Sequence, residues 1–174
     1  YPEKCFWVEL GLQTIHPSSS IFIRRGYPLS VFDACVKQLV QAGIPFLVHL
    51  IVGLPNETQD MMIESLRHVN QSGAWGIKLQ LLHYLSDTDL GRMYMENPAL
   101  FHVMSEEEYI DTICRCITEL RPDIVIHRLT GDGNGDHLLA PVWSRNKKHV
   151  LNQIRHELKI RNWYQGCRYE ERGD

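Results

Sequence analysis

The chain has 174 residues, 44% of them hydrophobic and 22% charged, with 18 Lys and Arg against 21 Asp and Glu. That balance suits one folded domain with a real core, and the absence of any apolar run of about 18 residues argues against a membrane span. The net charge of −3 averages two unlike parts: residues 1–143 carry 10 basic and 17 acidic side chains, and residues 144–174 carry 8 and 4. In chain order, Phe6–Leu12 reads as a strand, and Val31–Ala42 as the clearer of the helical stretches that follow, with Ser30 and Asp33 spaced as a capping pair. Phe46–Val52 is almost wholly apolar, as a strand covered on both faces must be. A helix starting at Asn56 or Thr58 runs to about Gln71, and Gly76–Tyr84 is a third strand, followed by a short helix after Asp89. Ser105 to Glu108 caps a helix reaching Leu120, Asp123–Leu129 is a fourth strand, and Asn146–Arg161 is an amphipathic helix with Val150, Leu151, Ile154 and Leu158 on one face.

Strands alternating with helices predict an α/β fold of about four parallel βα units. A closed eight-stranded barrel takes about 250 residues, so four units make either an open sheet or the later part of a barrel. The missing initiator Met at Tyr1 fits the second of these. Two regions are expected: residues 1–143 as the βα part, and residues 144–174 as a basic helix and tail. Between Arg145 and Arg161 there are six Lys or Arg and only Glu157 to oppose them, a pattern that suits a phosphate backbone or a solvated helix face.

In parallel α/β folds ligands sit at the carboxyl ends of strands, which directs attention to a few short motifs. The first strand ends VELGLQT, placing Gln13, both donor and acceptor, at a strand mouth. The second continues through His49 and Ile51 into GLPNET, a tight turn before a helix start. Lys78 and His83 alternate with leucines on the third strand; either suits a proton donor or a substrate anchor, and a hydrogen-bonded strand-end His is the plain alternative for His83. Arg128 leads into the glycine-rich loop Thr130–His137, where Asp132 and Asp136 could position a hydroxyl or an amine. A calcium loop starting at Asp132 fails, because its sixth position is His137 and its twelfth Trp143.

The ordered run WVELGLQTIH, Arg24-Arg25-Gly26, VHLIVGLPNET, GIKLQLLHYL, VIHRLTGDG and PVWSRNK resembles the second half of radical S-adenosylmethionine (SAM) enzymes, from the fourth barrel strand onward. It is similar in particular to a bacterial group of Fe–S oxidoreductases related to elongator-type enzymes and oxygen-independent coproporphyrinogen oxidases. The resemblance implies a partial TIM-like (β/α) barrel. It also implies a 4Fe–4S cluster and SAM as cofactors of the full-length protein, with SAM cleaved reductively to a 5′-deoxyadenosyl radical. Residue by residue, it implies that Gln13 meets the SAM ribose, that Arg25 (or its neighbour Arg24) meets the methionine carboxylate, that His49 bonds a ribose hydroxyl and that Ile51 packs on adenine. Catalytic roles fall to His83, Arg128 and Asp132, and substrate contacts to Lys78, Lys147, Lys148 and Arg155. A tRNA wobble uridine bearing a carboxymethylaminomethyl group is the implied substrate, and tRNA and SAM the implied partners, in the cytoplasm, with no membrane partner.

The five cysteines set a limit on this. Cys114 and Cys116 point to different faces of one helix, Cys35 is core-facing, and Cys5 and Cys167 are isolated. The cluster ligands are therefore expected upstream of Tyr1, the 174 residues alone are expected to be inactive, and their free strand edges are expected to favour self-association. Two other readings stay open: a barrel-type metal hydrolase using His49, His83 and His127 with Asp132, and a non-enzymatic interaction domain.

Overall fold

The computed structural model describes residues 6–131 and 135–170. Among these, six strands and six α-helices follow in order: β1 (Val8–Gln13), α1 (Pro17–Phe22), α2 (Leu29–Gln41), β2 (Phe46–Val52), α3 (Gln59–Gln71), β3 (Gly76–Leu81), β4 (Tyr84–Leu85), α4 (Asp89–Glu96), α5 (Glu106–Glu119), β5 (Val125–Arg128), β6 (Leu138–Ala140) and α6 (Lys147–Ile160). β1, β2, β3 and β5 form a parallel sheet in that spatial order, and β4 pairs antiparallel with β6 in a small second sheet. Every step across the main sheet goes the same way. Right-handed crossovers then bring the helices α2, α3 and α5 to one face, unlike the reversal of a doubly wound sheet.

The packing follows that winding. Val48, Leu50, Val52, Ile77, Leu79 and Leu81 point from the sheet into a core filled by Phe32 and Val36 of α2, Met62, Ile63 and Leu66 of α3, and Ile113 and Ile117 of α5. α6 adds Val150 and Ile154 to the same core through its contact with α5. The helices that build this core, α2, α3, α5 and α6, leave the opposite face of the sheet uncovered among the described residues, and one edge of β1 pairs with no described strand. Nor, among them, is any helix long and apolar enough to cross a membrane.

Several local expectations are met and some are corrected. Thr58 caps α3 by accepting from Met61 N at 3.3 Å, and Ser105 with Glu108 forms a complete capping box on α5. Ser30 and Asp33 do not cap α2. The helix starts one residue before Ser30, with Pro28 as its N-cap, and Asp33 lies inside it, accepting instead from His68 Nε2 at 2.7 Å. The third strand is also shorter than its apolar run. It stops at Leu81, and Tyr84–Leu85 turns away to pair with residues 138–140.

Candidate ligand-binding face

Strand alternation sends Glu9, Gly11, His49, Ile51, Lys78 and Gln80 to the face of the sheet that the helices leave uncovered. Charged and amide side chains there are kept polar by one another. Lys78 Nζ donates to Glu9 Oε2 at 2.6 Å, and His49 Nε2 donates to the same oxygen at 2.8 Å. Trp7 Nε1 donates to Glu9 Oε1 at 3.2 Å, and Gln80 Nε2 donates to His49 Nδ1 at 2.9 Å. Hydrogen bonds from Lys78, Trp7 and His49 hold the Glu9 carboxyl down at about 2. A hydrogen-bonded chain thus crosses β1, β2 and β3 in the middle of the sheet.

Gln13 closes the upper end of this face. Its φ of 66° is in the left-handed region, and a bulge separates it from Gly11 in the β1–β2 register. The turn folds its amide back over Gly11, where a Cβ would lie 2.6 Å from Gln13 Nε2. A larger residue at position 11 would displace that amide from the place it takes. Arg25 fixes this conformation: its Nη1 donates to Leu12 O at 2.8 Å and Thr14 O at 2.6 Å, and its Nε to Tyr27 O at 3.1 Å. Tyr27 in turn donates to Gly11 O. At the lower end, Trp7, Trp75 and His127 pack as an aromatic cluster, with ring centroids 5.0–5.6 Å apart, in which Nε2 of His127 is buried and makes no hydrogen bond with any described residue.

The structure brings Gln13, His49, Ile51 and Lys78 to one face, with Arg128 beside Lys78 in the β3–β5 register. His49 has both ring nitrogens engaged, by Glu9 and Gln80. Arg25 has its guanidinium on backbone carbonyls, whereas Arg24 is exposed and pairs with Asp89 at 2.7 Å. His83 lies beyond the end of β3 as a hydrogen-bonded strand-end histidine, donating from Nε2 to Ser144 Oγ at 3.0 Å. Burial and the nearby Lys147 push its imidazole below the usual histidine range. Asp132 falls outside the described residues. Lys148 and Arg155 stand exposed on α6, away from the sheet face, and Lys147 is half-buried at the helix start.

Glu9, Gln80 and Trp7 are absent from the candidates that the sequence motifs supply. A signal was present for two of them: a carboxylate within VELGL and an amide within GIKLQLL interrupt otherwise apolar strands, and such residues need a polar purpose.

Among the described residues, the cysteines do not come together to hold an iron–sulfur cluster. Cys114 and Cys116 are buried in α5, and burial pushes their thiols up to about 11 and about 12, away from the thiolate that ligation requires. Among the described residues, no group of three or more His, Cys, Asp or Glu could hold a metal ion; His49, His83 and His127 face Glu9, Ser144 and the tryptophans respectively, in three separate places. An adenosyl group is a better match to the uncovered face, which offers an apolar side chain, Ile51, between two amides, Gln13 and Gln80.

Comparison with known proteins bears on the same region. The Radical_SAM C-terminal domain family matches residues 74–160. The uncharacterized protein YtqA of Bacillus subtilis is 38% identical over 160 residues, covering 92% of this chain and 49% of YtqA. Protein YhcC of Escherichia coli strain K12 is 31% identical over 141 residues, covering 81% of this chain and 45% of YhcC. The chain therefore spans about half the length of these relatives. Its fold is shared with the structure of archaeal Methanocaldococcus infernus Elp3 lacking N-terminal residues 1–46, at a TM-score of 0.81 and 18% identity, over 92% of this chain and 37% of that one.

Proposed function

The chain belongs to the Radical_SAM C-terminal domain family, and from that premise we propose that it forms the SAM-facing wall of a radical SAM enzyme of which it is the C-terminal portion. The observation that carries this is the polar chain Lys78–Glu9–His49–Gln80 on a sheet face that the helices leave bare, capped by Gln13. A face of this kind, lined by ion pairs and amides, is suited to a polar ligand rather than to a packed core.

In this reading the cluster is held by cysteines upstream, and the pair of cofactors, when bound, supplies reductive cleavage of SAM to a 5′-deoxyadenosyl radical. The wall's own work is to bind and orient. Gln13 and Gln80 flank the adenosyl group, Ile51 lies beneath adenine, and the Glu9–Lys78 pair keeps the sheet face rigid and charge-balanced. Arg25 serves by holding the β1 mouth in shape around Gln13, which leaves Arg24, exposed and paired with Asp89, as the other arginine of the Arg24-Arg25-Gly26 run. A tRNA whose wobble uridine side chain is trimmed from carboxymethylaminomethyl to aminomethyl is the substrate we favour. Two observations support that choice: the fold is shared with an archaeal Elp3, and the exposed basic side of α6 offers a surface for an RNA backbone.

The decisive experiment uses the full-length protein, with its upstream sequence, after anaerobic cluster reconstitution. Reduction in the presence of SAM is expected to release 5′-deoxyadenosine. A reconstituted protein that binds SAM weakly and releases none would overturn the reading.

A further inference from the structure

The geometry points to Gln80 as a specificity-determining residue of the uncovered face, one that presents a hydrogen-bond acceptor to a hydroxyl or amino donor of the bound nucleoside. This rests on the reading of the face as an adenosyl site, and it adds a residue and a polarity to that site. A glutamine amide by itself has no fixed polarity, because its oxygen and nitrogen can exchange places by rotation. Here the exchange is blocked by a relay.

The relay begins at Glu9. Its carboxylate, held ionised by Lys78 and Trp7, accepts hydrogen bonds only, so the His49 nitrogen 2.8 Å away must carry the proton. That nitrogen is Nε2, and in the tautomer that carries its one proton there Nδ1 is an acceptor. Nδ1 faces the Gln80 amide at 2.9 Å, and only the NH2 group can donate to it. The amide is thereby oriented, and its Oε1, which accepts from no described protein group, becomes the outward acceptor. Gln80 stands level with Ile51 in the β2–β3 register, two residues further along the strands than the pair His49 and Lys78. The acceptor is therefore next to the apolar side chain on which the base would rest. An adenosyl group offers two kinds of donor there, the ribose hydroxyls and the base amino group.

The test uses the reconstituted full-length protein and equilibrium dialysis against three probes: SAM, its 2′,3′-dideoxyribose analogue and its inosyl analogue, which lacks the amino group. Gln80→Met keeps the length of the side chain and removes its polarity. It is expected to weaken SAM binding about fivefold, the usual worth of one neutral hydrogen bond. In the wild type, one of the two analogues is expected to bind about fivefold more weakly than SAM, and Gln80→Met is expected to abolish that contrast, which identifies the donor. A variant that binds all three probes as the wild type does would overturn the inference. A wild type that binds no SAM at all would overturn the reading of the face and this inference with it. Nitrogen NMR of histidine-labelled protein at pH 8, with His49 assigned from the His49→Gln variant, tests the relay independently of SAM. A ring protonated at Nε2 alone is expected; one that carries a proton on Nδ1, there alone or on both nitrogens, would reverse the Gln80 amide and overturn the proposed polarity.

Discussion

Arg25 clamps the two carbonyls that flank Gln13. One nitrogen of its guanidinium donates to Leu12 O and Thr14 O, the residues on either side of a backbone turn with φ of 66°. A non-glycine residue in the left-handed region costs about 1 kcal/mol, and the clamp offsets that cost while aiming the Gln13 amide over Gly11.

Removing the clamp is therefore expected to act on stability first. Arg25→Ala leaves the Leu12, Thr14 and Tyr27 carbonyls without their cationic donor and is expected to cost about 2–3 kcal/mol, the scale of hydrogen bonds to a charged group. Urea denaturation measures it. A loss below about 0.5 kcal/mol would show that water replaces the guanidinium without penalty.

Glu9 gives a pH dependence of definite sign. Its carboxyl is held down at about 2 by Lys78, Trp7 and His49, while the unfolded chain titrates near the usual 4.5. The stabilisation is complete above 4.5 and is lost as pH falls from there toward 2. The urea midpoint of the wild type is expected to drop over that window more steeply than that of Glu9→Gln. Parallel curves would mean that the Glu9 network is not formed in solution.

How far the site could be read from sequence depends on which residues are asked about. The four parallel strands and the caps Thr58 and Ser105 follow from periodicity and local hydrogen bonding, which sequence records directly. β4 and β6 have two and three residues, too few for any period, so their pairing is set by tertiary contact alone. The candidates His49, Ile51 and Lys78 share a face because strand alternation is geometric, whereas Gln13 reaches it through the turn at the β1 bulge. The engagement of Arg25 with carbonyls and of His49 with two side chains depends on side-chain direction across strands, which no single-sequence pattern encodes.

Gly131 and His83 provide a test of the loop that follows β5. A Cβ at Gly131 would stand 2.6 Å from His83 Cε1, so the loop's closeness to the end of β3 requires a glycine. Gly131→Ala is expected to destabilise by about 1–3 kcal/mol through overpacking. His83→Ala alone loses the Ser144 hydrogen bond, about 1 kcal/mol, but removes the nearest clash, leaving Leu81 O at 3.0 Å as the remaining tight contact. The double variant is therefore expected to be more stable than the sum of the two single losses, by at least about 0.5 kcal/mol in a double-mutant cycle. Strict additivity would place the loop elsewhere.

The basic side of α6 narrows, in the structure, to fewer residues than its sequence offers. Arg161 is bound to Asp111 and Glu157, and His149 lies 2.9 Å from Glu106, so these side chains are turned toward the protein. Lys148, Arg155 and Lys159 are exposed, and their spacing of seven and four residues puts them on one helix face. A straight row of three cations suits successive phosphates of a nucleic-acid strand, and each phosphate contact steepens the salt dependence of binding by roughly 0.7–0.9 in slope. With the full-length protein and tRNA, filter binding of the triple variant Lys148→Gln, Arg155→Gln, Lys159→Gln is expected to show weaker affinity and a slope smaller by about 2. Lys147→Gln, half-buried beside His83, is expected to change the slope by less than about 0.5, because a side chain in that position is poorly placed to displace counterions. Equal affinities and slopes for wild type and triple variant would remove α6 from RNA recognition while leaving the SAM-facing wall untouched, since the helix and the sheet face lie on opposite sides of the core.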